Sequence, residues 1–335
     1  MMKHILFLLL LLLSVRSMSQ QVYQFTQYQV NRYLLNPAAS GVDDHTEIVS
    51  GYRQMWLDLE GAPESFYLTA NIPINKQKNK TFKNKRARQF YYSNNKYKQH
   101  HGIGIMVSKD EFGAFQKTRV QASYAFHLPV TGPYRISFSP RVGWSGTAID
   151  DRKVSLKIQD DPTYQYFLAQ GENKNSFDLD LGLWFYSDRL YAGYSMIQLI
   201  PNNLTPADVS KEAKMLAHHQ LMLGYSYIVY HAKDFDDLES RNIVLHPGAM
   251  IRYKAGAPVN LDLSLEVDFE QRLKIGTTWR MNNAMAFWAG VYLGKTAELY
   301  YAYDLPTSQL QPYQRGGHEI TLKMKLWRNR FSTKF

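Results

Sequence analysis

The sequence predicts an all-β protein, a transmembrane antiparallel β-barrel of about 14 strands. Three observations carry that expectation. Apolar and polar residues alternate in segment after segment along the chain. The only long apolar run is an N-terminal leader too short to span a bilayer. The 24 tyrosines and 6 tryptophans suit two interfacial girdles. Residues 259–269 show the alternation best: odd positions are apolar, while Asp262, Glu266 and Asp268 share the opposite face.

The leader begins with Lys3 and His4, continues as an apolar run over residues 5–13, and reaches Ser17-Met18-Ser19. This is the order of a signal peptide, with cleavage expected after Ser19 and Gln20 as the first mature residue. No cysteine is present, which excludes a lipoprotein anchor, disulfides and thiolate metal sites. Mean hydropathy is -0.39, as expected of strands that are half polar. The predicted organisation is a signal peptide over 1–19, a periplasmic or plug segment over 20–43 and the barrel over 44–335, in the outer membrane. Residues 20–43 are polar and aromatic without strand periodicity, so they are expected to fill the lumen or cover the periplasmic mouth.

The strands follow in order. Residues 47–55 form a weakly alternating first strand. Phe66, Leu68, Ala70 and Ile72 mark the second, and Ile103, Ile105 and Val107 the third. Val120, Ala122, Tyr124 and Phe126 mark the fourth, which ends at Thr131-Gly132-Pro133. The fifth carries Tyr134, Ile136, Phe138, Val142 and Trp144, with Pro140 on its apolar face predicting a bulge. Phe177 to Phe185 alternate as the sixth; Ser187-Asp188-Arg189 turns it into Leu190, Ala192, Tyr194 and Met196. A connection with a short helix near 206–214 leads to Leu221, Leu223, Tyr225, Tyr227 and Val229. Residues 242–253, 259–269, 273–279, 284–293, 298–303 and 317–326 complete the set.

The polar faces carry Asp178, Asp180, Asp262, Glu266, Asp268, Lys274, Arg280, Glu319, Lys323 and Lys325. Lipid would penalise them, so they should face the lumen, where mixed signs can pair and fill it. The formal charge of +10 owes much to residues 76–98, which hold nine Lys or Arg and no acid. In an exported chain that points to a solvated loop, anionic lipid or an acidic protein, not nucleic acid.

Candidate chemistry is absent. His100-His101 and His218-His219 are strand neighbours that point to opposite faces, a poor geometry for one metal. Asp234, Asp236, Asp237 and Glu239 lack the glycine and spacing of a calcium loop. Gly102-Ile103-Gly104 reads as strand packing, and Ser195 lacks the second glycine of a nucleophile elbow. No catalytic, cofactor or metal residue is predicted.

Several blocks resemble the PorP/SprF family of type IX secretion system membrane proteins. Gln24-Phe25-Thr26-Gln27-Tyr28 and Leu35-Asn36-Pro37-Ala38-Ala39-Ser40-Gly41 resemble its opening motif. Tyr52-Arg53-Gln54-Met55-Trp56 and Gly61-Ala62-Pro63-Glu64-Ser65 resemble the next block. Tyr186-Ser187-Asp188-Arg189-Leu190-Tyr191-Ala192-Gly193-Tyr194-Ser195 resembles the central hairpin, and Lys254-Ala255-Gly256-Ala257-Pro258, Tyr303-Asp304-Leu305-Pro306 and Gly317-His318-Glu319-Ile320 the final third. The insertion at 76–98 is longer and more charged than the family pattern, and the chain runs past Leu326-Trp327 to Phe335.

The resemblance implies a non-enzymatic outer-membrane barrel that supports secretion or surface attachment of a partner, such as a large gliding adhesin. Its implied partners are the C-terminal region of that secreted protein, periplasmic type IX components or a peptidoglycan-binding protein, and outer-membrane lipid. Asn36, Pro37, Ala38, Arg53, Trp56, Gly61 and Pro63 are the implied structural or partner-contact residues. With a periplasmic N-terminus, the turns at 131–133, 187–189 and 294–296 lie inside, and the connections at 147–175, 199–214 and 305–316 outside. The basic segment would then hang in the periplasm. The alternative is a transport barrel for a small solute.

Overall fold

An antiparallel sheet has two edges of unpaired N–H and C=O groups, and neither is tolerated in lipid. The computed structural model of this chain removes both by closure. It describes residues 25–76, 99–154, 173–200, 217–230, 243–281, 283–294, 296–307, 312 and 314–328. The leader, all but Lys76 of the basic segment, the helix expected near 206–214, the acidic turn at 234–239 and the last seven residues lie outside them.

The strands are β1 (His45–Gln54), β2 (Glu64–Ile74), β3 (His100–Phe112), β4 (Phe115–Thr131), β5 (Tyr134–Ile149), β6 (Asn173–Tyr186), β7 (Leu190–Ile197) and β8 (His218–Tyr225). They continue as β9 (Tyr227–Tyr230), β10 (Ile243–Lys254), β11 (Asn260–Phe269), β12 (Leu273–Arg280), β13 (Ala284–Leu293), β14 (Ala297–Pro306) and β15 (Gly317–Arg328). Apart from β8 and β9, consecutive strands pair antiparallel, and β15 returns to β1 to close the wall. β8 and β9 both pair with β10, with Gly224 opposite Gly248 and Tyr227 opposite Leu245. β9 thus continues β8 past Ser226, and the wall has 14 strands with one extra segment.

One local expectation fails. No bulge occurs at Pro140: Ser123 opposite Arg141 and Phe126 opposite Phe138 keep one register across it. The missing N–H of Pro140 faces β4, so the ladder skips one step there without shifting. Shifts occur instead between Pro129 and Thr131, between Ile243 and Val244, and between His45 and Thr46.

Burial runs opposite to that of a water-soluble sheet. On β11, Asp262 is buried while Leu263, one residue on, is 45% exposed. Asp178, Asp180, Glu319 and Arg280 are likewise buried on the inner face, while Phe138, Leu265 and Ile275 stand on the outer wall. That is the pattern of a barrel whose solvent is lipid. The adjacent histidines diverge as a strand requires: His100 and His218 point inward, while His101 meets the Tyr124 hydroxyl at 2.6 Å and His219 meets that of Tyr194 at 2.8 Å on the outside.

The two ends differ. The proximal end holds His45, Arg328 and the turns at 132–133, 187–189, 270–272 and 294–296. The distal end holds the strand ends that flank 55–63, 150–172, 198–217 and 307–316. The strand ends that flank the three short turns and the three long connections read from the sequence therefore fall on opposite ends, while those that flank 75–99 and 231–242 lie at the proximal end with the short turns.

Candidate functional site

Residues 25–42 do not join the wall; they lie within it. Tyr28, Leu35, Ala38 and Ala39 pack against Trp184, Tyr186, Met222 and Met250 of β6, β8 and β10. Phe25, Tyr33 and Leu34 pack against Val49, Tyr67 and Met106 of β1 to β3. Val30 meets Trp288, Tyr300 and Ala302 of β13 and β14. The few large apolar side chains on the inner wall are the ones this segment covers, so it acts as the core that the lumen otherwise lacks.

Its local conformation follows from two asparagines. The Asn31 side chain accepts from the Leu34 N–H at 3.2 Å and starts the single turn α1 (Arg32–Leu35). Asn36 ends α1 and is extended (φ -138°, ψ 112°), as a residue before proline must be. Its side-chain oxygen accepts from the Ala38 N–H at 2.9 Å, which starts the 3-10 turn Pro37–Ala39. One residue therefore closes one turn and opens the next.

The Asn36 amide also docks the segment. Its Nδ2 donates to the carbonyls of Leu183 and Tyr194, both at 3.1 Å, which face each other across β6 and β7. A side chain at Gly182 would block this approach: a Cβ there would stand 2.3 Å from Asn36 Oδ1. Around it, Ser137 Oγ donates to the Ala38 carbonyl at 2.7 Å and Ser195 Oγ to that of Leu35 at 2.9 Å. His127 Nε2 holds the Ser40 carbonyl at 2.8 Å, and His100 Nε2 that of Gly41 at 3.2 Å. At Gly102 a Cβ would stand 2.1 Å from the Ser40 oxygen, so this pair of wall glycines is an approach surface for the segment.

Arg141 ties the segment to β5. Its Nη1 donates to the carbonyls of Tyr33 and Leu34, both at 3.1 Å, while Nε and Nη2 each reach Asp180 Oδ2 at 2.8 Å. The carbonyls at the end of a helical turn lack internal partners, and a guanidinium supplies them. Burial raises the pKa of the Tyr28 and Tyr33 phenols, so both stay neutral inside the lumen, where each shares a hydrogen bond with a serine hydroxyl, Ser264 at 2.6 Å and Ser123 at 2.9 Å.

Toward the distal end, a belt of alternating charge crosses the wall. Arg252 binds both oxygens of Asp262, at 2.7 and 2.8 Å. Arg280 lies 3.8 Å from Asp262 and 3.1 Å from Asp304; Asp304 also pairs with Arg53, and Arg53 Nε lies 3.7 Å from Glu319. Arg280 and Asp304 are separated by β13, where Ala284 and Ala286 present only methyl groups between them. The plug enters this belt at Thr26. Its N–H donates to Glu319 at 2.7 Å, and its hydroxyl lies 2.7 Å from Asp304 and 2.6 Å from Arg280. At the proximal end a second group joins Glu47 with Lys323, and Lys274 with Glu266 and Glu298 at 3.4 and 3.6 Å.

The motif residues thus fall in two places. Asn36, Pro37 and Ala38 form the docking turn, and Arg53 sits in the belt. Trp56, Gly61 and Pro63 belong to the distal connection between β1 and β2. That connection is tied sideways by Gly113 N–H to the Gly61 carbonyl (2.9 Å), Met55 N–H to that of Pro63 (2.9 Å) and Leu57 N–H to that of Gly316 (3.1 Å). Trp56 holds φ +52° and meets Phe112 edge-on at 5.7 Å, an uncommon backbone for a bulky residue. The sequence reading missed Ser137, Arg141, His127 and Gly182. Small or polar residues at inward positions were their signal, legible only once the plug was known to need room. Gly102 was read as strand packing and in fact faces the plug.

Residues 17–324 match the family described as Type IX secretion system membrane protein PorP/SprF. No curated protein matches the chain. Among solved structures, the chain is similar to the CymD monoaromatic hydrocarbon channel, at 9% identity over 90% of this chain and 93% of that one, with a TM-score of 0.46. It is also similar to the P. putida toluene transporter TodX (9%, 92% and 95%, 0.44) and to the Acinetobacter baumannii outer membrane protein Omp33 (6%, 86% and 100%, 0.44). With a match over nearly its whole length, this chain belongs to the PorP/SprF family of type IX secretion system membrane proteins.

Proposed function

We propose that this barrel is a plugged, non-enzymatic outer-membrane component that holds a protein partner during or after type IX secretion, rather than a channel for solutes. The observation that carries the reading is the filling of the lumen by residues 25–42. Hydrogen bonds join this segment to wall residues on both halves of the barrel, among them Thr69, Ser137, Ser195, Ser264 and Glu319. A solute path needs an open lumen, whereas a docking barrel needs a rigid wall with shaped ends.

In this reading cleavage after Ser19 releases the mature chain, and the proximal end faces the periplasm. The basic segment 76–98 then meets periplasmic secretion or peptidoglycan-binding components, and the distal connections meet a secreted surface protein such as a gliding adhesin. Lys76, where that segment begins, is anchored at the plug's exit: it contacts the Val42 carbonyl and lies 2.7 Å from Asp44.

The test is a tagged pull-down from native outer membranes in mild detergent, read by mass spectrometry. Recovery of one large surface protein through its C-terminal region supports an adhesin-dedicated role. Recovery of periplasmic ring or peptidoglycan-binding proteins supports a place in the secretion core. Recovery of neither from an intact barrel overturns the reading in favour of solute transport.

A further inference from the structure

The wall is not equally tall all round. β6 pairs with β5 along its full described length, from Ala148 opposite Asn173 to Arg135 opposite Tyr186. Its pairing with β7 covers much less and stops at Leu181 opposite Met196. β7 ends for a local reason. Gln198 takes φ +58°, and its N–H is captured by Asp180 Oδ1 at 2.8 Å; the last bond between the two strands is Leu199 N–H to the Leu179 carbonyl at 2.9 Å. Beyond that point β6 continues for the six residues Asn173 to Asp178, about 20 Å of strand.

In an antiparallel sheet, alternate residues direct both backbone groups to the same neighbour. Leu179 faces β7, so Phe177, Asn175 and Asn173 face that side too. Among the described residues no strand meets them. The edge also lies past the aromatic group that Tyr194, His219 and Tyr253 form on the outer wall at the ends of β7, β8 and β10. Such groups sit at the lipid–water interface, which puts the free edge on the aqueous side.

An unpaired edge is a template for another strand. Here its chemistry is sided. Outward, Phe177 is 56% exposed beside Trp144 of β5. Inward, Asp178 is fully buried; among the described residues neither carboxylate oxygen has a hydrogen-bond partner, and the nearby cations are Arg119, Lys117 and Arg141.

Resting on the reading that the distal end meets a secreted protein, we infer that this partner is held by strand addition to the β6 edge at Asn173, Asn175 and Phe177. The added segment alternates. Its apolar residues lie against Phe177 outside, and a Lys or Arg lies beside Asp178 inside.

The chain contains no cysteine, so single cysteines at Asn175→Cys or Phe177→Cys can each carry a benzophenone maleimide in intact cells. Strand addition gives adducts from both sites on one segment of one secreted protein, at positions two residues apart. Two changes at the neighbouring position should abolish them. Asn175→Pro, read from Phe177→Cys, removes an edge N–H without touching the β5 ladder. Phe177→Lys, read from Asn175→Cys, leaves the backbone alone and places a charge on the edge. Adducts within residues 201–216 of the same chain, adducts on a second copy, or adducts unchanged by both variants overturn the inference. If these adducts fail while the pull-down still recovers a secreted protein, strand addition falls and the secretion role stands.

Discussion

The backbone N–H of Thr26 donates to Glu319 Oε2 at 2.7 Å, across 293 positions of sequence. A carboxylate on the last wall strand therefore fixes the start of the plug, and it does so inside a belt that Arg53, Asp304 and Arg280 complete. Closing the barrel and seating the plug use the same charges, because Arg53 on β1 and Glu319 on β15 sit opposite each other across the closing seam.

Breaking one member of the belt should cost more than removing a pair. Arg53→Ala leaves Asp304 and Glu319 buried with one cation fewer, a loss of about 3–5 kcal/mol. Arg53→Met combined with Glu319→Leu removes charge of both signs and should be milder. Heat-modifiable mobility of the folded barrel on gels, read as a melting temperature, checks the order of the two.

Asn36 should be a focal point for plug seating. Asn36→Ala loses both carbonyl contacts and the cap on Ala38, about 1–3 kcal/mol of local stability. Asn36→Asp should be worse, since a carboxylate would face the oxygens of Leu183 and Tyr194. Amide hydrogen exchange over residues 25–42 should rise in that order while exchange in β11 to β14 stays level.

The turn between β11 and β12 is a site for gain. Glu270 and Gln271 take φ of +53° and +51°, and Arg272 N–H closes the turn on the Phe269 carbonyl at 2.9 Å. Two successive positive φ values at the centre of this four-residue turn favour Asn-Gly. Glu270→Asn with Gln271→Gly should stabilise the barrel by about 1 kcal/mol, seen as a higher melting temperature.

The wall was legible because alternation has period two and lipid forbids exceptions on one face; residues such as Leu263 and Asp262 announce their sides without any partner. The inward charges were legible for the same reason. Partner choice was not. Nothing local says that Arg280 reaches across β13 to Asp304, since that depends on the small Ala286 between them. The plug was legible only as a segment without strand periodicity. Its seat depends on Ser137, Gly182 and Arg141, from strands about a hundred or more residues away, and small or polar residues of these kinds suit many inward positions on a barrel wall. At Pro140 the error had a physical source: a missing N–H was taken to demand a bulge, whereas a ladder can omit one bond and keep register.

As proposed, the filled lumen makes this a docking barrel and not a pore. The measurement that tests it most directly is single-channel conductance in a planar bilayer, comparing the intact mature chain with a chain lacking residues 25–41. The intact barrel should be silent, with steady conductance steps once the plug is removed. Steady, open conductance from the intact chain would contradict it.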